Sequence, residues 1–404
     1  MIIVVLKKGS DYDAFKNELE STAYTFKHFE NLKRFFSVDV ETPEEFSLKD
    51  HPDIKFIDPN KTIFEPVFVD RNIDYLNKPY RGPLAYENYT GDTWALPRMC
   101  RRKNPFNLKG LPEGGTFNTS FRSTRTGAGV DTYIIDLGVQ VGHVEFGGRV
   151  TKLGPDQNDE LGNFHGIGVA SCVTGSTVGI APSSEVFVHS INVGFGSEVV
   201  EGMDLIVAHY NSRAGLNRPA TMNLSITDNG APVEPTAYWD GLGDLIDMGI
   251  TICCAAGNLK ENYDVLNISP AETDPDLIIV GASNIMDGPM LWHRFGTAFG
   301  SPLDIHAPGM SVKCAYFNDE YIIVSGTSFS SPYTAGILNC MLEGYQRPTT
   351  RAQVQAIKAK LLENSTKDVL DFPASSRITL FDNNKLVYID PHISIEPITG
   401  LTPL

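Results

Sequence analysis

The sequence predicts an α/β fold: a doubly wound, mostly parallel open sheet with helices on both faces, preceded by a small ferredoxin-like α+β unit. Three observations carry this. From about residue 130 onward, apolar runs of strand length alternate with stretches whose apolar residues fall at helical spacing, the pattern of successive β-α units. The runs at 132–135, 186–191, 221–224, 250–255 and 277–280 are largely apolar without strict alternation, as strands buried on both faces are. The chain has 404 residues, 42% hydrophobic and 20% charged, enough for a large core and a second, smaller domain.

Taken in order, residues 1–7 read as a strand and 12–21 as a helix, with Phe15 and Leu19 on one face. Strands are expected at 33–40 and 54–57, with a helix-like 43–48 between them. These make residues 1–65 the small unit. Pro66, Pro79, Gly82, Pro83 and Gly91 stand among polar residues and mark 66–93 as a linker. Residues 94–404 form the main domain. Arg101-Arg102-Lys103 is a short basic cluster, read as a solvated loop, with a processing or docking site as the alternative. Helices are expected at 199–211 and 236–247, between the strands. A strand-like 321–324 then runs into Ser325-Gly326-Thr327-Ser328, and a helix-like stretch follows with Ala335, Leu338, Met341 and Leu342 at helical spacing. A last helix is expected at 348–362, with Val354, Ile357 and Leu361 on one face. The tail from 379 carries no motif and reads as a packed strand extension.

Composition excludes some functions. The formal net charge is −16 and no basic stripe offsets it, which argues against a nucleic-acid partner. No apolar run has the length needed to cross a membrane. Residues 1–9 lack the pattern of a signal peptide. The six cysteines (Cys100, Cys172, Cys253, Cys254, Cys314, Cys340) show no CxxC pair and no metal-ligand spacing, so reduced thiols are expected. Together these features predict a cytoplasmic or virus-associated protein.

Chemistry in an open parallel sheet gathers at the carboxyl ends of its strands, where the strand order switches. Four polar residues fall at such positions. Asp136 follows Tyr133-Ile134-Ile135, His165 opens a helix-like stretch, Asn258 closes the strand ending in Ala256-Gly257, and Ser328 opens another helix. Singly, each has an ordinary structural reading as a cap, a helix-terminal histidine or a turn residue. Jointly they supply an acid, a base, an amide donor and a nucleophile. A serine hydroxyl attacks a carbonyl only when a base takes its proton. Histidine titrates in the right range, and a buried carboxylate fixes its tautomer. The Asn258 amide and the Ser328 backbone N–H would then hold the oxyanion. The remaining histidines lack a partner motif, and no GxSxG elbow occurs.

The order Asp…His…Ser resembles that of subtilisin, and four blocks carry the likeness. "YIIDLGVQVGHVEFGGRV", "GNFHGIGVAS", "CCAAGN" and "VSGTSFSSPYTAG" resemble the aspartate, histidine, oxyanion and serine blocks of the subtilases, closest to their proteinase K-like branch. "IIVVLKKG", "KRFFSVDV" and "HPDIKFIDPNKTIF" are similar to the inhibitory prodomain of such proteases, and Trp94-Ala95-Leu96-Pro97-Arg98-Met99 to the entry of their mature domain. The resemblance implies a subtilisin-like fold and a self-processing serine endopeptidase acting on protein or peptide substrate. Its own prodomain would lie in the active cleft. It also implies that Ser225, Ile226 and Thr227 form a substrate-pairing strand, with Gly194, Phe195 and Gly196 on a second edge and Ala256 and Gly257 beside the oxyanion donor. No cofactor enters this chemistry. Structural calcium is common among such proteins, but no ligand loop here is distinct enough to name.

The sequence also departs from the pattern. Gly-Ile-Gly-Val-Ala-Ser after His165 stands where Gly-Thr-His-Val-Ala-Gly is usual, so Ile167 and Gly168 replace two polar groups beside the base. Leu137 stands where a small hydroxyl residue usually supports the aspartate. Thr227 replaces a glycine near the P1 entrance, so a peptide library varied at P1 is expected to show a narrow preference. The alternative reading is a catalytically silent relative serving as a structural or binding subunit with its prodomain retained.

Overall fold

A computed structural model describes residues 1–60, 94–106, 121, 124–154, 163–191, 196–226, 236–258, 274–292, 295–372, 384–389 and 397–404. The expected linker 66–93, together with Gly194, Phe195 and Thr227, lies outside the described residues.

The N-terminal unit contains β1 (Ile2–Leu6), α1 (Tyr12–Glu20), β2 (Phe26–His28), β3 (Phe35–Val38) and β4 (Ile54–Asp58). Its antiparallel sheet has the order β2-β3-β1-β4, as a ferredoxin-like unit should. Asp11 caps α1 by accepting from the Ala14 N–H at 3.0 Å, and Phe15 and Leu19 bury its apolar face. Two expectations need correction. Residues 26–28 form an edge strand that the sequence reading missed, because three half-exposed residues carry no periodic signal. The helix expected at 43–48 is a single 3₁₀ turn, Pro43–Glu45. Phe46 alone of that stretch is fully buried, so no apolar face exists to hold a longer helix.

The larger domain follows with α2 (Ala95–Met99), β5 (Asp131–Leu137), β6 (Val150–Lys152), α3 (His165–Thr174), β7 (Glu185–Ile191), α4 (Gly196–Ser212), β8 (Ala220–Leu224), α5 (Ala237–Asp247) and β9 (Thr251–Ala255). Beyond these come β10 (Ile278–Ser283), β11 (Leu291–Trp292), β12 (Phe295–Gly296), β13 (Ile305–Pro308), β14 (Val312–Ala315), β15 (Tyr321–Val324), α6 (Thr327–Leu342), α7 (Arg351–Asn364), β16 (Thr366–Lys367) and β17 (Lys385–Leu386). The central sheet has the order β16-β17-β13-β10-β9-β8-β5-β7-β6. Its pairings are parallel except β16 with β17. β5 pairs with β7 on one side and β8 on the other. The strand order therefore reverses at β5, where a ligand crevice is expected.

Alternate residues of β5 serve the two faces. Ile134 joins the core with Ile167, Val173, Ile337 and Leu338 from α3 and α6. Tyr133 and Ile135 join Val199, Met203, Leu242 and Leu245 from α4 and α5. Every residue of α6 is buried, so its polar groups need partners. Asn339 supplies one solution: its Nδ2 donates to Thr132 Oγ1 at 2.6 Å and Ser184 Oγ at 3.0 Å, and its Oδ1 accepts from Thr221 Oγ1 at 2.7 Å. This network ties the helix bearing Ser328 to the strand bearing Asp136.

The N-terminal unit packs one sheet face on α4 and α5. Ile3, Val5, Phe29, Leu32 and Phe35 share a core with residues of those helices. Around them, cations of the unit meet carboxylates of the body. Arg34 pairs with Asp240 at 2.7 Å and Asp244 at 2.6 Å. Lys27 pairs with Glu201 at 2.7 Å, and Lys55 pairs with Asp240. Asp58 and Asn60 accept the Ala237 and Ser197 N–H groups at 2.7 and 2.9 Å, satisfying amides at the starts of α5 and α4 that have no partner within the helix.

The basic cluster lies in a loop in which Arg102 and Lys103 are exposed, as expected, while its two arginines also make specific bonds. Arg102 donates to the Asn364 and Ser365 carbonyls at 2.8 and 2.7 Å and stacks on Tyr388; Arg101 donates to the Pro97 carbonyl at 3.0 Å. Arg101 braces its own short helix, and Arg102 ties the cluster to the carboxyl end of α7. In the tail, Lys385–Leu386 extends the main sheet as expected. The described cysteines are all buried free thiols. Among the described residues no helix is long and apolar enough to cross a membrane.

His306 in β13 is fully buried, and burial pushes its pKa down to about 4, against a weaker upward pull from hydrogen bonding to the Lys385 backbone. The unfolded chain therefore takes up a proton near pH 6.5 that the folded chain refuses until about pH 4. Stability contributed by the neutral ring is present above pH 6.5 and falls through that window. His189, lowered mainly by burial, acts in the same direction. The unfolding midpoint should drop between pH 6.5 and 4, and His306→Asn should remove on the order of 3 kcal/mol of that dependence. Thermal melts of both proteins across this range check it.

Candidate active site

Asp136 is the penultimate residue of β5, which runs one residue beyond it to Leu137. The carboxylate is fully buried. Its Oδ1 accepts from the Leu137 N–H at 2.7 Å and from His165 Nδ1–H at 2.5 Å. Leu137 offers no hydroxyl, and Asp136 Oδ2 has no hydrogen-bond partner among the described residues.

His165 is the first residue of α3, and its own N–H donates to Asn163 Oδ1 at 3.0 Å. The helix reaches the end of β5 because residue 166 is glycine. A Cβ there would stand 2.6 Å from the Gly138 carbonyl oxygen and 2.7 Å from Val139 Cγ2, closer than any side chain tolerates. Gly138 has φ of +63° and lies just as tightly against the Asn163 carbonyl, a conformation and approach that favour glycine. Two glycines thus let imidazole and carboxylate meet.

Ser328 is the second residue of α6, two positions beyond the N-cap Gly326. It is almost fully buried. Its carbonyl accepts from Ser225 Oγ at 2.8 Å, and Ser225 Oγ accepts from Asn223 Nδ2 at 2.9 Å. The first turn of α6 touches His165 directly: the Phe329 ring stands edge-on to the imidazole with centroids 5.5 Å apart.

Asn258 lies three residues beyond the end of β9 rather than in it. Its Oδ1 accepts from the Thr327 N–H at 2.8 Å and from Thr327 Oγ1 at 3.1 Å, while Thr327 Oγ1 accepts from the Gly257 N–H at 3.0 Å. These bonds hold the Asn258 amide by its oxygen end. Thr327 is a residue whose task the sequence reading missed. Its only signal was its place between Gly326 and Ser328.

Of the proposed peptide-binding positions, Ser225 and Ile226 follow β8 and are buried, and Ala256 donates its N–H to the Val280 carbonyl at 3.0 Å. Gly196 needs correction as part of an extended edge. It begins α4, beneath Ile3 and Asn60 of the N-terminal unit, because Asn60 satisfies the adjoining helix amide. Ile167 is buried in the core rather than lining a polar wall. Among the described residues no group of three or more His, Cys, Asp or Glu side chains is placed to hold a metal ion.

Residues 80–379 match the model of the subtilase family. A subtilisin-like serine protease of Rhodotorula mucilaginosa is 30% identical over 305 residues, covering 71% of this chain and 84% of that protein. Cerevisin of Saccharomyces cerevisiae is 29% identical over 320 residues, covering 74% of this chain and 48% of cerevisin. Among solved structures, one described as a cold adapted subtilisin-like serine proteinase superposes with a TM-score of 0.58 at 28% identity, over 74% of this chain and 98% of its own.

Proposed function

Because the chain belongs to the subtilase family, we propose that it is a serine endopeptidase in which Asp136, His165 and Ser328 act as the triad and Asn258 as an oxyanion donor. The observation that carries this is the 2.5 Å bond from His165 Nδ1–H to buried Asp136, made at the head of a helix that abuts the first turn of α6. With Nδ1 donating, Nε2 is the basic nitrogen. It takes the Ser328 proton as Oγ bonds to the scissile carbonyl carbon. The imidazolium then protonates the leaving amine as the C–N bond breaks, and water repeats the cycle to release the acyl group. The negative oxygen of each tetrahedral intermediate is held by Asn258 Nδ2 and the Ser328 N–H. The substrate is a peptide segment whose main chain pairs with Ser225 and Ile226, which directly follow β8. No step requires a cofactor. The reading as a silent structural relative finds no support in the relative from Rhodotorula mucilaginosa, whose name describes a serine protease.

The N-terminal unit acts as the prodomain, seated on α4 and α5 through Arg34, Lys55 and the caps from Asp58 and Asn60. Self-cleavage falls between residues 61 and 93. Intact mass of the full chain beside Ser328→Ala, followed over hours at neutral pH, tests this. The chain should lose its first 60–90 residues while the alanine variant stays whole. Equal processing of both, or of neither, counts against it.

A further inference from the structure

We infer that Phe329 is a positioning residue for His165 and that Gly168 is the space its ring requires. The inference rests on the triad reading and deepens it. Phe329 follows Ser328 directly and is 1% exposed. Its ring meets the imidazole at an interplanar angle of 61°, the edge-on geometry that aromatic rings favour. The hydrogen bond to Asp136 fixes one nitrogen of His165 but leaves the imidazole able to tilt about that bond. The Phe329 ring restricts that tilt from another side.

Gly168 lies one turn beyond His165 in α3, and its N–H makes an ordinary helical bond to the Phe164 carbonyl at 3.0 Å. Its backbone shows no left-handed φ, so the helix itself gives no reason for glycine over alanine. The reason is packing. A Cβ on Gly168 would stand 3.0 Å from Phe329 Cε1 and 2.9 Å from Cys314 Sγ. Phe329 and Cys314 are both in the main core, where neighbours resist displacement. An added methyl would therefore press the ring toward the imidazole it touches. The two residues form a size-matched pair across α3 and α6.

The test is steady-state cleavage of a peptide anilide by the full chain, with thermal unfolding of each variant alongside. Gly168→Ala should lower kcat about tenfold with KM nearly unchanged, the cost of moving the base by a few tenths of an ångström. Phe329→Leu should lower kcat several-fold. In the double variant Gly168→Ala/Phe329→Leu, alanine should cost little further, which is the coupling expected of residues in contact. Gly168→Ala/Cys314→Ala should stay impaired. Should Gly168→Ala not fold, Phe329→Leu alone decides, by whether kcat falls while KM and the unfolding midpoint hold. The inference is overturned by an unchanged kcat in Gly168→Ala, by equal losses in both backgrounds, by rescue through Cys314→Ala, or by wild-type kcat in Phe329→Leu. An inert wild-type chain would instead overturn the triad reading, and the pair with it.

Discussion

Ser328→Ala and His165→Ala should each lower kcat for a peptide substrate by about 10⁶, and the double variant should be little worse than either. That magnitude is the one established for the triad serine and histidine of subtilisin. The non-additivity has a direct cause. Without the imidazole the hydroxyl keeps its proton, and without the hydroxyl the imidazole has nothing to deprotonate. Asp136→Asn should cost less, about 10⁴, because the bond at 2.5 Å is lost as a charge interaction but its place can be kept by an amide. KM should change little in all of them. Rates of peptide hydrolysis over a range of substrate concentrations separate these outcomes.

Asn258→Ala should lower kcat about 10²–10³ with KM held, a range that again comes from the equivalent subtilisin position. The structure adds a distinct expectation. Asn258 Oδ1 is the acceptor for both the N–H and the hydroxyl of Thr327, and Thr327 precedes Ser328. Asn258→Ala leaves both donors without that acceptor in a buried site, so it should also lower the unfolding midpoint. Asn258→Asp keeps the acceptor and removes the donor. It should therefore recover stability while recovering little activity. The pair of variants divides the residue's two tasks, read by melting curves and kcat on the same samples.

The doubly wound sheet was legible because continuous apolar runs such as 250–255 and 277–280 cannot sit at a surface. The four polar residues were legible only jointly: each alone passes for a cap or a turn residue, and it is their shared placement at strand ends and helix starts that points to one site. What stayed hidden depends on tertiary partners. Phe26–His28 becomes a strand only because β3 offers an edge. Gly196 joins a helix because Asn60, from the far end of the chain, satisfies the next amide. Asp240, Asp244 and Asp247 fall on one helical face, but only the folded chain shows Lys8, Arg34 and Lys55 facing them. Thr327 and Phe329 carry no signal of their own in the sequence, and their contacts with Asn258 and His165 arise where α3, α6 and the turn after β9 converge.

The most direct test of the triad is the site of covalent labelling by a serine-directed phosphonate, mapped by peptide mass spectrometry on the full chain. One adduct is expected, on Ser328, with labelling abolished in His165→Ala and slowed in Asn258→Ala. An adduct on another serine, or labelling of Ser328 that is indifferent to His165, would contradict it.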